Sequence, residues 1–212
     1  MQHIDAEAIE TIGIPRLLLM EHAGLAVARA VQSLGAPGAR PILVCAGTGF
    51  NGGDGLAAAR HLQMWGYPLQ VLLTAPVSRL TGEPAVYAAI LQRLGVSLTD
   101  AGTAPRPSVE AAVRGCAAVV DALLGIGIRG MVREPASWLI RAINASQKPV
   151  VAVDVPSGLD ADAGTVQGIA VRATMTVTFG LAKRGCLLGE GPDYAGTLIV
   201  DPITILQGLL HA

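Results

Sequence analysis

Residues 42–55 read Ile-Leu-Val-Cys-Ala-Gly-Thr-Gly-Phe-Asn-Gly-Gly-Asp-Gly, and the fold is decided in this stretch. Five consecutive apolar residues, Ile42 to Ala46, run into a glycine-rich segment that opens a helical pattern. A short, wholly apolar run closed by turn residues suits a strand covered on both faces, as in a parallel sheet. Five glycines among the nine residues from Gly47 to Gly55 allow positive φ and close approach of a ligand to the backbone. Free N–H groups at a helix start attract anions, so a phosphate or pyrophosphate contact is expected here.

Working outward, strand and helix keep alternating. Helices are expected over Asp54–Trp65, Glu83–Leu94, Ser108–Arg114 and Pro135–Ala145. Strands are expected over Leu69–Thr74, Val96–Thr99, Ala117–Ala122, Val150–Val153, Met175–Phe179 and Thr197–Val200. Upstream, 5–12 and 15–34 read as helices. The second has Leu18, Leu19, His22, Ala23, Leu25, Ala26 and Ala30 at three- and four-residue spacing, with Pro15 in its first turn and Gly35 and Pro37 as stops. This order predicts an α/β fold: a doubly wound, three-layer Rossmann-like sandwich with a mostly parallel sheet and an N-terminal helical extension. No repeat, low-complexity tract or long linker divides the chain, so residues 1–212 are read as one domain.

Composition narrows the function. Of the 212 residues, 51% are hydrophobic and 15% charged, and Lys+Arg 15 against Asp+Glu 16 leaves a net charge of -1. No basic face for a phosphate backbone is evident, so nucleic acid is not an expected partner. Every apolar stretch is broken before the ~18 residues of a membrane span, and the acidic N-terminus lacks the pattern of a secretory signal. A cytoplasmic location is expected. Cys45, Cys116 and Cys186 form no CxxC and read as buried free thiols. His3, His22, His61 and His211 show no metal spacing.

In doubly wound folds ligands sit beyond the carboxyl ends of the strands, and three loops there are unusual. Gly47, Gly49 and Gly52 satisfy G-x-G-x-x-G, but Thr74-Ala75-Pro76 stands where a dehydrogenase carries its ribose-binding acid. No G-x-x-x-x-G-K-[ST] motif supports nucleotide hydrolysis. In the second loop, Asp121 ends an apolar strand before Ala122-Leu123-Leu124-Gly125-Ile126-Gly127-Ile128-Arg129-Gly130-Met131. A carboxylate in that place is either paired or cation-bound, or caps a turn through backbone N–H groups. The third loop, Asp154-Val155-Pro156-Ser157-Gly158, reads either as an Asx-type turn or as a device that aims Asp154 and Ser157 from the strand end.

Taken together, LLLMEHAG (17–24), GTGFNGGDG (47–55), DALLGIG (121–127), DVPSGLDADAG (154–164) and TFGLAKRG (178–185) resemble the NAD(P)HX epimerase family, also called the YjeF N-terminal domain family. The resemblance covers nearly the whole chain. It implies a repair isomerase that interconverts the R and S epimers of NADH and NADPH hydrated at C6 of the nicotinamide ring. An NAD(P)HX dehydratase is implied as partner, in a separate chain or a trimmed domain. The implied substrate-binding residues are Phe50, Asn51, Gly52, Gly53, Asp54, Gly125, Ile126, Gly127, Ile128, Arg129, Gly130, Met131 and Asp154. A potassium ion is implied on Asn51, Asp121 and Ser157, whose hard oxygen donors suit an alkali or alkaline-earth ion rather than zinc. One departure stands out: the family usually has Asn-Asn-Gly-Gly-Asp-Gly, and here Phe50 replaces the first Asn.

Loss of hydroxide from C6, assisted by the ring nitrogen, and return of water to the opposite face would need an acid/base. Asp154 is the candidate catalytic residue for that step, with Lys183 as a second that orients water or pairs with a phosphate or with Asp154. The alternative reading is a catalytically inactive ligand-binding or dimerising scaffold of the same fold. The apolar row Leu17 to Met20 exceeds what one buried stripe needs, and the resemblance suggests a homodimer.

Overall fold

The computed structural model describes residues 7–35 and 38–204. The beginning of the first expected helix, Pro37, His3 and His211 therefore lie outside the described residues. Seven strands form one sheet: β1 (Ile42–Ala46), β2 (Leu69–Leu73), β3 (Leu98–Asp100), β4 (Ala118–Ala122), β5 (Val150–Val153), β6 (Met175–Phe179) and β7 (Thr197–Asp201). Their order is β3-β2-β1-β4-β5-β6-β7, and every pairing is parallel. The sheet is thus wholly rather than mostly parallel. Chain order runs outward from β1 to β3 on one side and from β4 to β7 on the other, so the topological switch lies between β1 and β4.

Strand alternation sorts the core into two halves. Ile42, Val44 and Ala46 point into one cluster with Val71, Leu73, Val120, Ala122, Val151 and Val153. Leu43 and Cys45 point into the other with Leu72, Val119 and Val150. The first half is covered by α1 (Arg16–Ser33), α2 (Phe50–Met64) and α3 (Gly82–Arg93). The second is covered by α4 (Arg106–Gly115), which buries Val109 and Val113, and α5 (Ala136–Ser146), which buries Trp138, Leu139, Ile140 and Ile143. This is the expected three-layer arrangement.

The helix expected at the N-terminus is a single π-helical turn, Glu7–Thr11, in which Ile12 N–H donates to the Glu7 carbonyl at 3.1 Å. The longer helix α1 is no appendage, because Ala23, Val27 and Val31 are buried in the core of the first face. Strand β3 begins two residues later than expected because Val96 closes the preceding helix. Its N–H reaches the Leu91 carbonyl at 3.0 Å while Gly95 takes a φ of 77°, the arrangement in which a left-handed glycine ends a helix. Short helices α6 (Arg184–Leu187) and α7 (Gly191–Ala195) were not expected; neither is long enough to carry a period. Among the described residues no helix is long and apolar enough to cross a membrane.

Candidate active site

Helix α2 begins at Phe50, four residues before its expected start at Asp54, so Asn51, Gly52 and Gly53 form its first turn. The glycines of this segment serve packing. None of the five takes a positive φ, contrary to the conformational role expected for them. A Cβ on Gly52 would lie 2.0 Å from the Gly47 carbonyl oxygen, and one on Gly47 would lie 2.1 Å from that of Leu123. Only glycine lets α2 start this close to the ends of β1 and β4.

That closeness places Asn51 beside the second loop, across the β1/β4 switch. Its Nδ2 donates to the Leu124 carbonyl at 3.0 Å, while its Oδ1 is buried without a hydrogen-bond partner among the described residues. The Leu124 N–H donates to Ser157 Oγ at 2.8 Å. The Ser157 hydroxyl donates to Asp121 Oδ1 at 2.6 Å, and its backbone N–H donates to Asp121 Oδ2 at 2.8 Å. The three loops are therefore tied through one connected network. Asp121 is wholly buried, and desolvation pushes its carboxyl up to about 6 despite the Ser157 hydroxyl and amide and the Leu123 amide, which favour the charged form. Of the two sequence readings of Asp121, the structure shows the capping one: its carboxylate accepts from the backbone N–H groups of Leu123 and Ser157 and from the Ser157 hydroxyl.

The donor types of these residues fit a hard cation. An amide oxygen, a buried carboxylate and a hydroxyl belong to one network, and of these Asn51 Oδ1 alone is left buried without a hydrogen-bond partner among the described residues, which is costly. Among the described residues no three His, Cys, Asp or Glu side chains gather as transition-metal ligands would.

The third loop turns abruptly at Asp154, whose φ of 67° is left-handed. Its Oδ1 accepts from Lys183 Nζ at 2.5 Å, Thr178 Oγ1 at 3.1 Å and Phe179 N–H at 3.3 Å. Lys183 Nζ also donates to the Phe179 carbonyl at 2.9 Å. Among the described residues these three donors converge on Oδ1, and Oδ2 is not among the buried unpaired atoms. Lys183 is buried; of the roles considered for it, the structure shows the pairing with Asp154. The neighbouring thiol of Cys186 is pushed up to about 11 by burial and then by the Asp154 charge, so it stays protonated at neutral pH. All three cysteines are buried and free, as expected.

The loop from Gly125 to Met131 follows Leu124 of the network. Gly125 packs against Asn51, and Met131 is largely exposed and leans over Gly168. Arg129 is exposed, and its charge helps hold the Asp160 carboxyl below its usual range, after the Ala163 and Asp162 amides. Ile126 packs instead with the buried Val155 and Leu159. Asp54 is half-buried on α2, and its charge helps raise the Tyr87 hydroxyl, after burial and the contact with Glu21.

Sequence reasoning missed Thr178, the Leu124 backbone and Arg16, whose guanidinium lies 4.2 Å from the centroid of the Phe50 ring. Thr178 opens the TFGLAKRG motif, so a signal was present. Backbone groups leave none. It also passed over Glu21, which accepts from Tyr87 OH at 2.9 Å and meets Arg60 and His61 between α1, α2 and α3. A cavity of about 400 Å³ between α4 and α5, beside Arg114, Trp138 and Arg141, lies on the other face of the sheet.

The family model described as the YjeF-related protein N-terminus matches residues 16–185. The chain belongs to this family. It is 46% identical over 206 residues to a bifunctional NAD(P)H-hydrate repair enzyme of Pyrobaculum aerophilum, an alignment that covers 92% of this chain and 39% of that protein. It therefore spans well under half of that relative. It is also 40% identical over 200 residues to an NAD(P)H-hydrate epimerase of Limosilactobacillus fermentum, covering 94% of this chain and 92% of that one. Among solved structures, that of the yeast protein ynu0 superimposes with a TM-score of 0.80 at 28% identity, covering 94% of this chain and 84% of the yeast chain.

Proposed function

We propose that this chain is an NAD(P)H-hydrate epimerase, an isomerase that interconverts the R and S forms of NADH and NADPH hydrated at C6 of the nicotinamide ring. The observation that carries the reading is the 40% identity along 92% of a single-activity epimerase. A carboxylate held on one oxygen supports it. The dinucleotide lies across the β1/β4 switch, its phosphates at the start of α2 and its hydrated ring toward Asp154. In the reacting complex Asp154 carries a proton on Oδ2; the C6–O bond breaks as the ring-nitrogen lone pair forms an iminium, and Asp154 gives that proton to the departing hydroxide, which leaves as water. Water then adds to the opposite face and returns its proton to Asp154. Lys183 and Thr178 hold Oδ1 and leave Oδ2 toward the reacting carbon. The ionised carboxylate stabilises the cationic ring between the two steps.

Potassium would be held by Asn51, Asp121 and Ser157, where it supplies positive charge that fixes the three loops. Leu17 and Leu18, exposed on the first turn of α1, support a homodimer. An NAD(P)HX dehydratase acts on the S epimer, in the cytoplasm, either in another chain or in a fused domain as in the bifunctional relatives. The decisive experiment is a chromatographic assay of the isolated R epimer of hydrated NADPH, with and without potassium, against a buffer blank. Wild type reaches the R/S equilibrium faster than the blank, and Asp154→Asn slows it by about 100-fold or more. No rate above the blank from folded protein with potassium overturns the epimerase reading. An unimpaired Asp154→Asn overturns only the assignment of the acid/base.

A further inference from the structure

Helices α1 and α2 pack side by side in the same direction. A Cβ on Gly24 would meet Ala57 at 2.5 Å, Met20 lies against Gly53, and Arg16 lies against Phe50. Each step along α1 is matched by a step along α2, so both N-termini emerge at the same edge of the sheet, beside the glycine segment. Neither first turn carries an acidic residue. Arg16, the first residue of α1, adds a cation to an end that is already electropositive, which a helix ordinarily avoids.

The Phe50 ring is 54% exposed, so it does no work in the core. It gives the Arg16 guanidinium a surface to lie on. Among the described residues Arg16 has no carboxylate partner and no hydrogen-bond acceptor, so its N–H edge is unspent while its face is stacked. A planar guanidinium with a free N–H edge matches the oxygens of a phosphate two at a time.

We propose that Arg16 is a substrate-binding residue of this site, taking a phosphate of the dinucleotide with its N–H edge while the Phe50 ring holds the guanidinium in place. The inference rests on the reading of the site as one for a dinucleotide, and it assigns a task to the residue that replaces the family's asparagine. The phosphate is either of the pyrophosphate or that on the adenosine ribose of the NADPH form. Arg16 takes no part in bond making, so its effect falls on binding.

The test compares wild type, Arg16→Ala and Arg16→Lys in two measurements. Calorimetric titration with ADP-ribose and with its 2′-phosphate reads binding without turnover, and epimerisation of both hydrates reads KM and kcat. Arg16→Ala weakens binding and raises KM by about tenfold or more, with kcat within about twofold of wild type and an unchanged unfolding midpoint. Arg16→Lys recovers part of the loss. An equal effect on both probes assigns the pyrophosphate, and an effect on the 2′-phosphate probe alone assigns the ribose phosphate. Unchanged affinity and KM in Arg16→Ala overturn the proposal, as does a wild type that binds neither probe. Arg16-dependent binding by a protein that turns nothing over upholds it and sinks the epimerase reading instead.

Discussion

Replacing Lys183 by Met isolates the charge of the Asp154–Lys183 pair, because methionine fills most of the lysine stem and lacks the ammonium. The two side chains are 6% and 13% exposed, with 2.5 Å between Nζ and Oδ1. Stranding one partner of a buried pair costs about 3–5 kcal/mol, and the remaining contacts apportion that range. Without Lys183, Asp154 Oδ1 still accepts from Thr178 and Phe179, so Lys183→Met falls near the lower end, about 3 kcal/mol. Without Asp154, Lys183 keeps only the Phe179 carbonyl among the described residues, so Asp154→Ala falls near the upper end, about 5 kcal/mol. The double variant strands neither charge and costs less than the sum by about 2 kcal/mol or more. For a domain of this size Lys183→Met lowers Tm by about 6–12 °C. Urea unfolding of the four proteins, followed by circular dichroism at constant potassium, completes the cycle. Additive costs, or a Lys183→Met protein as stable as wild type, would refute the view that the two charges support one another.

Three further outcomes are expected. Potassium raises Tm relative to sodium at equal ionic strength, by about 1.4 kcal/mol of stability per tenfold concentration above Kd, and Asn51→Ala flattens the response; equal midpoints in both salts would remove the cation from the site. Gly24→Ala, which in an open helix stabilises by about 1 kcal/mol, destabilises here by about 1–3 kcal/mol, because the new Cβ would lie 2.7 Å from the Ala57 carbonyl carbon; thermal unfolding gives the sign. The Asp160 carboxylate accepts from the Asp162 and Ala163 amides at 2.9 and 2.8 Å and titrates below its usual range. Its support is therefore complete above the unfolded-state value of about 4 and lost as pH falls through the folded one. The gap in urea midpoint between wild type and Asp160→Ala should close between pH 6 and strongly acidic pH, and a gap independent of pH would contradict this.

The sheet was legible in the sequence because each central strand is an unbroken apolar run. Ile42–Ala46, Val150–Val153 and Met175–Phe179 stand where expected to the residue. The start of α2 was not, because Asn51-Gly52-Gly53 has poor helix propensity, and the space that a side chain on Gly52 would take from the Gly47 carbonyl shows only in the folded chain. For the site, the motifs supplied Asp121, Asp154, Ser157 and Lys183, and pairing with Asp154 was one of the roles expected of Lys183; the choice among those roles depends on β5 and β6 lying side by side. The Leu124 backbone could not be read at all, since any residue supplies the same N–H and carbonyl.

The network that joins Asn51, Leu124, Asp121 and Ser157 spans sequence separations of 73, 33 and 36 residues. No hairpin or local helix can rehearse it. It closes only when β1, β4 and β5 are already neighbours, each pairing made across an intervening helical excursion, and such non-local pairings form late. Capture of a nucleotide or cation during refolding should therefore trail the helical signal, and makes a natural stopwatch for the moment when the centre of the sheet assembles.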